Sequence, residues 1–152
     1  MNTQFAPSQF FDALTTVSRK MRTLFNQRVT AQGLTYPRAR ALFRLARHQP
    51  MTQRQLACEL ELQQATLVRL LDRMEEHNLI ERRAAAGDRR IKHIVLTPHG
   101  EQQAEQVHRI AEHMRLEVFQ DIDPDRLAET FSLLEQIQQR IAKLEDTDGH
   151  ER

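Results

Sequence analysis

Residues 52–96 read TQRQLACELELQQATLVRLLDRMEEHNLIERRAAAGDRRIKHIVL, and within them the apolar spacing changes from helical to alternating. Thr52, with Gln55 three residues on, fits a capping box that starts a short helix carrying Leu56, Ala57 and Leu60. Leu62 falls in a turn. A further helix is expected over about Gln63–His77, burying Leu67, Leu70, Leu71 and Met74. Asn78 can close it, because Asn tolerates the left-handed conformation. Leu79–Arg83 then reads as a short strand and Ile91, Ile94, Val95 and Leu96 mark another, with Ala84–Asp88 as the turn.

Outward from this segment the chain is helical. Phe10, Leu14, Val17, Met21, Leu24 and Phe25 recur in steps of three and four between Ser8 and Ala31, and Gly33 is a plausible stop. Tyr36-Pro37 opens a second helix whose buried side is Ala41, Leu42, Leu45 and Ala46, and Pro50 ends it. Thr97-Pro98, with Glu101 close behind, starts a long helix to about Gln120 with Val107, Ala111, Met114 and Val118 on one side. Asp123-Pro124 repeats the signal. The last helix carries Leu127, Phe131, Leu134, Ile137, Ile141 and Leu144 to about Glu145, leaving a frayed, polar tail over 146–152. The expected fold is mainly α with a small β-hairpin: a winged helix-turn-helix over 36–97, flanked by helical segments over 8–34 and 98–145.

Length and composition set the frame. At 152 residues the chain suits one domain, and 39% hydrophobic with 28% charged residues is an ordinary globular balance. No apolar run exceeds three residues, against ~20 for a membrane span and ~7–15 for a signal-peptide core, so a cytoplasmic protein is expected. The single cysteine, Cys58, can form neither an internal disulfide nor a zinc site alone. Beside Ala57, it reads as a small core residue.

The net charge of +1 hides a gradient: residues 1–50 carry +7, 51–100 carry +1 and 101–152 carry −7. A basic first part suits a polyanion, and acidic last helices suit solvent or another subunit. Gln63, Gln64, Thr66 and Arg69 lie at the amino-terminal end of the fourth helix, opposite its apolar stripe. Gln and Arg are side chains that pair with adenine and guanine edges. The hairpin adds Arg82, Arg83, Arg89, Arg90 and Lys92 with Asp88 as the only acid between them, cationic enough to lie on phosphates or enter a narrow minor groove.

The stretch Leu56–Gly100 resembles the MarR family of bacterial transcription regulators, and its SlyA-like branch most closely, through QATLVRLLDRMEEHNLIERR and GDRRIKHIVLTPHG. The wing signature is present as Asp88-Arg89-Arg90 and Leu96-Thr97, and the helical frame extends the likeness over about residues 8–145. The resemblance implies a homodimer on double-stranded DNA, bound to a pseudo-palindromic operator with one recognition helix per subunit in successive major grooves. It makes Arg90 the wing-tip arginine in the minor groove, sets Arg89 near phosphate and has Asp88 orient the wing by pairing with a nearby arginine. Gln64, Thr66 and Arg69 become recognition-helix contacts. Gln63 stands where the family often has a Ser or Asp cap, and Ala65 where Pro is common. The apolar stripes of the first and last two helices then serve as the dimer interface, since a domain this small gains stability by burying them against a second copy.

The resemblance also implies release from DNA by a small aromatic carboxylate or phenol, for which Arg19, Arg22 and Tyr36 are the candidates in this chain. An aromatic ring and a guanidinium suit such anions. No cofactor or metal is expected: His108 and His113 are five residues apart and do not share a helix face, so both read as solvated. Ser8, Ser18 and Ser132 lie in no Gly-x-Ser-x-Gly turn, and the chain has no phosphate-binding glycine loop and no His-Glu-x-x-His. A regulator, not an enzyme, is the expectation. The alternative from another class is a helical protein-interaction adaptor that does not bind DNA.

Overall fold

A computed structural model describes residues 6–149. The described residues form two compact units that divide between Met114 and Arg115. In chain order the elements are α1 (Pro7–Ala31), α2 (Tyr36–Arg47), β1 (Met51–Thr52), α3 (Gln53–Leu60), α4 (Gln64–Glu76), β2 (Ile80–Ala85), β3 (Asp88–Leu96), α5 (Pro98–Phe119) and α6 (Pro124–Gly149). Mainly helical with one small antiparallel sheet, this is the winged helix-turn-helix expected of the sequence. Among the described residues no helix is long and apolar enough to cross a membrane.

Local chemistry sets the boundaries in the first unit. Thr52 Oγ1 accepts the Gln55 amide at 3.1 Å while Gln55 Oε1 accepts the Thr52 amide at 2.8 Å, the reciprocal capping box that starts α3. Glu61 (φ 55°) and Asn78 (φ 56°) take the left-handed conformation just beyond α3 and α4. Leu42, Leu45, Leu56, Leu60, Leu67, Leu71 and Met74 are fully buried and join three helices in one core with Leu79, Ile80 and Ile94. Each such side chain contributes about 1.5–3 kcal/mol.

Three features differ from the sequence reading. The sheet has three strands in the order β1-β3-β2, because Met51 and Thr52 pair with Ile94 and His93. A two-residue strand is too short to show alternation. The hairpin turn is also tighter than expected: Ala84 and Ala85 lie in β2, with a register irregularity between them, and Gly87 (φ 90°) turns the chain. In the second unit α6 continues to Gly149, so 146–149, expected to fray, are helical; residues 150–152 lie outside the described residues.

The exit from the sheet is tied to the exit from α4. Thr97, 4% exposed, donates its hydroxyl to the Asn78 carbonyl at 2.5 Å and accepts the Gly100 amide at 2.9 Å, capping α5. Its own amide donates to the Leu79 carbonyl at 3.1 Å. The first turn of α5 sits so close that a Cβ on Gly100 would lie 1.9 Å from the Leu79 oxygen. Gly100→Ala is expected to destabilise the protein by about 1–3 kcal/mol, as overpacking against backbone does. Urea denaturation checks this, and an unchanged midpoint would show that α5 can withdraw without cost.

Candidate nucleic-acid interface

The face of α4 opposite its buried stripe is polar. Leu67, Leu70, Leu71 and Met74 point into the core, and helical periodicity leaves Gln63, Gln64, Thr66 and Arg69 exposed around the first two turns. Gln63 occupies the N-cap position without a side-chain cap bond. Ala65, exposed between Gln64 and Thr66, leaves room for a close approach to this end of the helix.

At the far end of the hairpin Arg89, Arg90 and Lys92 are exposed in β3. Successive strand residues point to opposite faces, so Arg90 and Lys92 share one side and Arg89 the other. Asp88 organises this end differently from the expected pairing with an arginine side chain. Its Oδ1 accepts the Arg90 backbone amide at 2.9 Å, a local turn bond that fixes where Arg90 leaves the strand.

The two cations nearest the hairpin root are engaged by acids. Arg82 donates to Glu75 Oε2 at 2.5 Å and Asp72 Oδ1 at 2.6 Å, and Arg83 forks onto Glu81 Oε2 at 2.8 and 3.0 Å. The sequence grouped all five hairpin cations together. The structure separates Arg82 and Arg83 from the three toward the tip, because their carboxylate partners come from α4 and from β2 itself.

Three cations that the sequence reading did not single out lie near α4. Arg54 is exposed on α3 and lines a hollow with Gln63 and Gln64. Arg38 and Arg73 line a cleft of about 280 Å³ with Thr35 and Thr66, where the first turn of α2 meets α4. A helical-wheel comparison of α4 would have found Arg73, which lies four residues after Arg69.

The expected effector residues have different neighbours. Arg19 and Arg22 stand exposed on α1, whereas Tyr36 packs edge-to-face on Phe25 at 6.1 Å and lies 5.6 Å beneath the Arg40 guanidinium. A hollow of about 630 Å³ lies elsewhere, between the last turn of α1 and α5, lined by Arg28, Gln32, Gln106, Arg109 and His113 among others. His113 accepts from Arg28 at 3.3 Å, and His108 stacks on Phe43 at 6.4 Å, so each exposed histidine has a neighbour of its own.

Comparison with known proteins gives the class. The sequence model of the MarR family matches residues 34–92. The crystal structure of transcriptional regulator PA3341 superposes with a TM-score of 0.81 at 36% identity, covering 88% of this chain and 98% of that one. A MarR transcriptional regulator from Methanosarcina mazei Go1 has a TM-score of 0.74 at 20% identity, over 90% and 99% of the two chains. MepR of S. aureus in complex with DNA has a TM-score of 0.72 at 24% identity, over 90% and 99%. The chain belongs to the MarR family.

Cys58 corrects the sequence reading. It is exposed on α3, because its neighbour Ala57 and the residues Leu56 and Leu60 take the buried side and Cys58 is rotated about 100° from Ala57. Native protein is expected to react with a thiol reagent such as DTNB to one equivalent per chain without denaturant. Labelling that needs unfolding would return Cys58 to the core.

Proposed function

We propose that this protein is a sequence-specific transcriptional regulator that acts as a homodimer on a pseudo-palindromic operator. The observation that carries the reading is the polar end of α4 beside a hairpin tip bearing Arg89, Arg90 and Lys92. Gln63, Gln64, Thr66 and Arg69 read base edges in the major groove, Arg90 enters the adjacent minor groove, and Arg89 and Lys92 contact phosphate. The DNA complex formed by MepR, a similar fold, supports this assignment. The likeness of QATLVRLLDRMEEHNLIERR and GDRRIKHIVLTPHG to the SlyA-like branch of the family supports assigning it to that branch.

Dimerisation supplies the second half-site. Phe11, Leu14 and Val17 on α1 are exposed, and no residue of α6 up to Thr147 is buried although Leu127, Phe131, Ile141 and Leu144 recur along it. Apolar stripes of this length on a small protein mark a protein interface. A second copy covers them and sets two recognition helices about 34–36 Å apart, one turn of B-DNA. A small aromatic carboxylate or phenol modulates the complex, with Arg19, Arg22 and Tyr36 as its candidate contacts. In a dimer the α1 arginines and Tyr36 can come from different subunits.

Fluorescence anisotropy with the duplex upstream of the protein's own gene, against a scrambled duplex at two salt concentrations, tests the reading. Tight binding to the first duplex alone, falling steeply with salt, is expected. Absence of binding to both duplexes would favour the adaptor. Arg90→Ala should weaken operator binding by about 1–3 kcal/mol, and Arg69→Ala or Gln64→Ala should alter sequence preference instead of lowering affinity uniformly. Truncation before Asp123 should give a monomer or an insoluble chain by sedimentation, and a stable dimer would move the interface away from α6.

A further inference from the structure

Arg82 is placed unlike the other hairpin cations. Its side chain is 19% exposed, and its two terminal nitrogens go to two different carboxylates, Glu75 at 2.5 Å and Asp72 at 2.6 Å. Asp72 and Glu75 are three residues apart on α4 and so stand side by side on one face, outside the core. The guanidinium forks between them, a geometry that the single ammonium of lysine does not reproduce.

The mechanical setting gives the contact a consequence. The root of the hairpin is held where Leu79 meets Thr97 and Gly100, and β3 is held by β1 at Ile94 and His93, the partners of Arg82 and Arg83; beyond them only a two-stranded ribbon projects, with β2 on the outer edge of the sheet. Arg82 ties a second point of β2 directly to α4. At about 3.3 Å per strand residue Arg82 lies ~10 Å from Leu79 and Ala85, the last residue of β2, lies ~20 Å from it, so any displacement at Arg82 grows about twofold by the end of the strand. Arg90 and the outer face of α4 reach one duplex together only if that angle is held.

We propose that Arg82 is a positioning residue that sets the angle between wing and recognition helix, and thereby delivers Arg90 to the minor groove, without contacting DNA itself. The inference rests on the DNA-binding reading above. It makes Asp72 and Glu75, two acids close to a surface that binds a polyanion, part of the recognition apparatus.

Charge alone and positioning predict opposite signs for one variant. Asp72→Asn combined with Glu75→Gln removes two negative charges and leaves Arg82 intact. If Arg82 were a phosphate ligand or merely neutralised the two acids, this variant would bind operator more tightly. Positioning predicts that it binds about tenfold more weakly, as Arg82→Gln does, and that Arg82→Lys fails to restore affinity. Combining Arg82→Gln with Arg90→Ala should cost less than about twofold beyond Arg90→Ala alone, because both act through the same wing contact.

The experiment is an anisotropy titration of full-length wild type and these variants at fixed salt, with half-site sequence preference as a second readout. Preference at the base pairs read by α4 should stay as in wild type, which a general loss of folding would not allow. The Asp72→Asn/Glu75→Gln variant carries the test if Arg82→Gln proves unstable. Tighter binding by that variant, or fully additive losses with Arg90→Ala, overturns the proposal. Failure of wild type itself to bind the duplex would instead remove the reading on which it rests.

Discussion

The structure turns on how the backbone is satisfied where α4 ends and α5 begins. At a helix terminus, polar groups of the main chain lack partners within the helix, and burial makes an unmet one costly. Thr97 answers both helices at once, giving its hydroxyl to the Asn78 carbonyl and receiving the Gly100 amide. The chain between those points is the whole β2–β3 hairpin. The wing is therefore a closed excursion from one buried junction, and its root is tied to the end of α4. Gly100 is part of the same constraint, since only the absence of a Cβ lets α5 start against the Leu79 carbonyl.

Electrostatics then divides the hairpin. Near the root, Arg82 is held between two carboxylates, while Arg83, still 64% exposed, pairs at the surface with Glu81. Toward the tip, Arg89, Arg90 and Lys92 stand exposed, with Asp88 turned inward on the backbone amide of Arg90. This ordering gives a rigid base and a cationic end, the arrangement needed if phosphate and groove contacts are to be placed with accuracy.

The flanking helices follow a different rule. In the first unit the apolar positions of α2, α3 and α4 close on one another, whereas exposed apolar side chains continue along α1 and over α6. The acidic charge of residues 101–152 makes the rest of the α6 surface unfavourable to a polyanion, whereas α1 carries Arg19, Lys20, Arg22 and Arg28 against the single acid Asp12. A second copy of the chain fits that chemistry, because the stripe on each helix is self-complementary in character.

Much of this was legible in the sequence because it is local. The helical period of Leu67, Leu70, Leu71 and Met74, the capping pair Thr52 and Gln55, the left-handed Asn78 and the Thr97-Pro98 start are set by neighbours within a few residues. The polar face of α4 follows from the same period. What only the tertiary structure decided depends on residues distant in the chain. Met51–Thr52 becomes a strand only because β3 lies beside it, and Cys58 turns outward because the core takes Leu56, Ala57 and Leu60. Arg82 and Arg90 are the same residue type in the same hairpin, and composition and spacing rank them equally, although the family resemblance singles out Arg90. They differ because packing β2 against α4 brings two carboxylates to one guanidinium, and a charge that close to its partners is held by them, while a charge at the tip remains for a ligand.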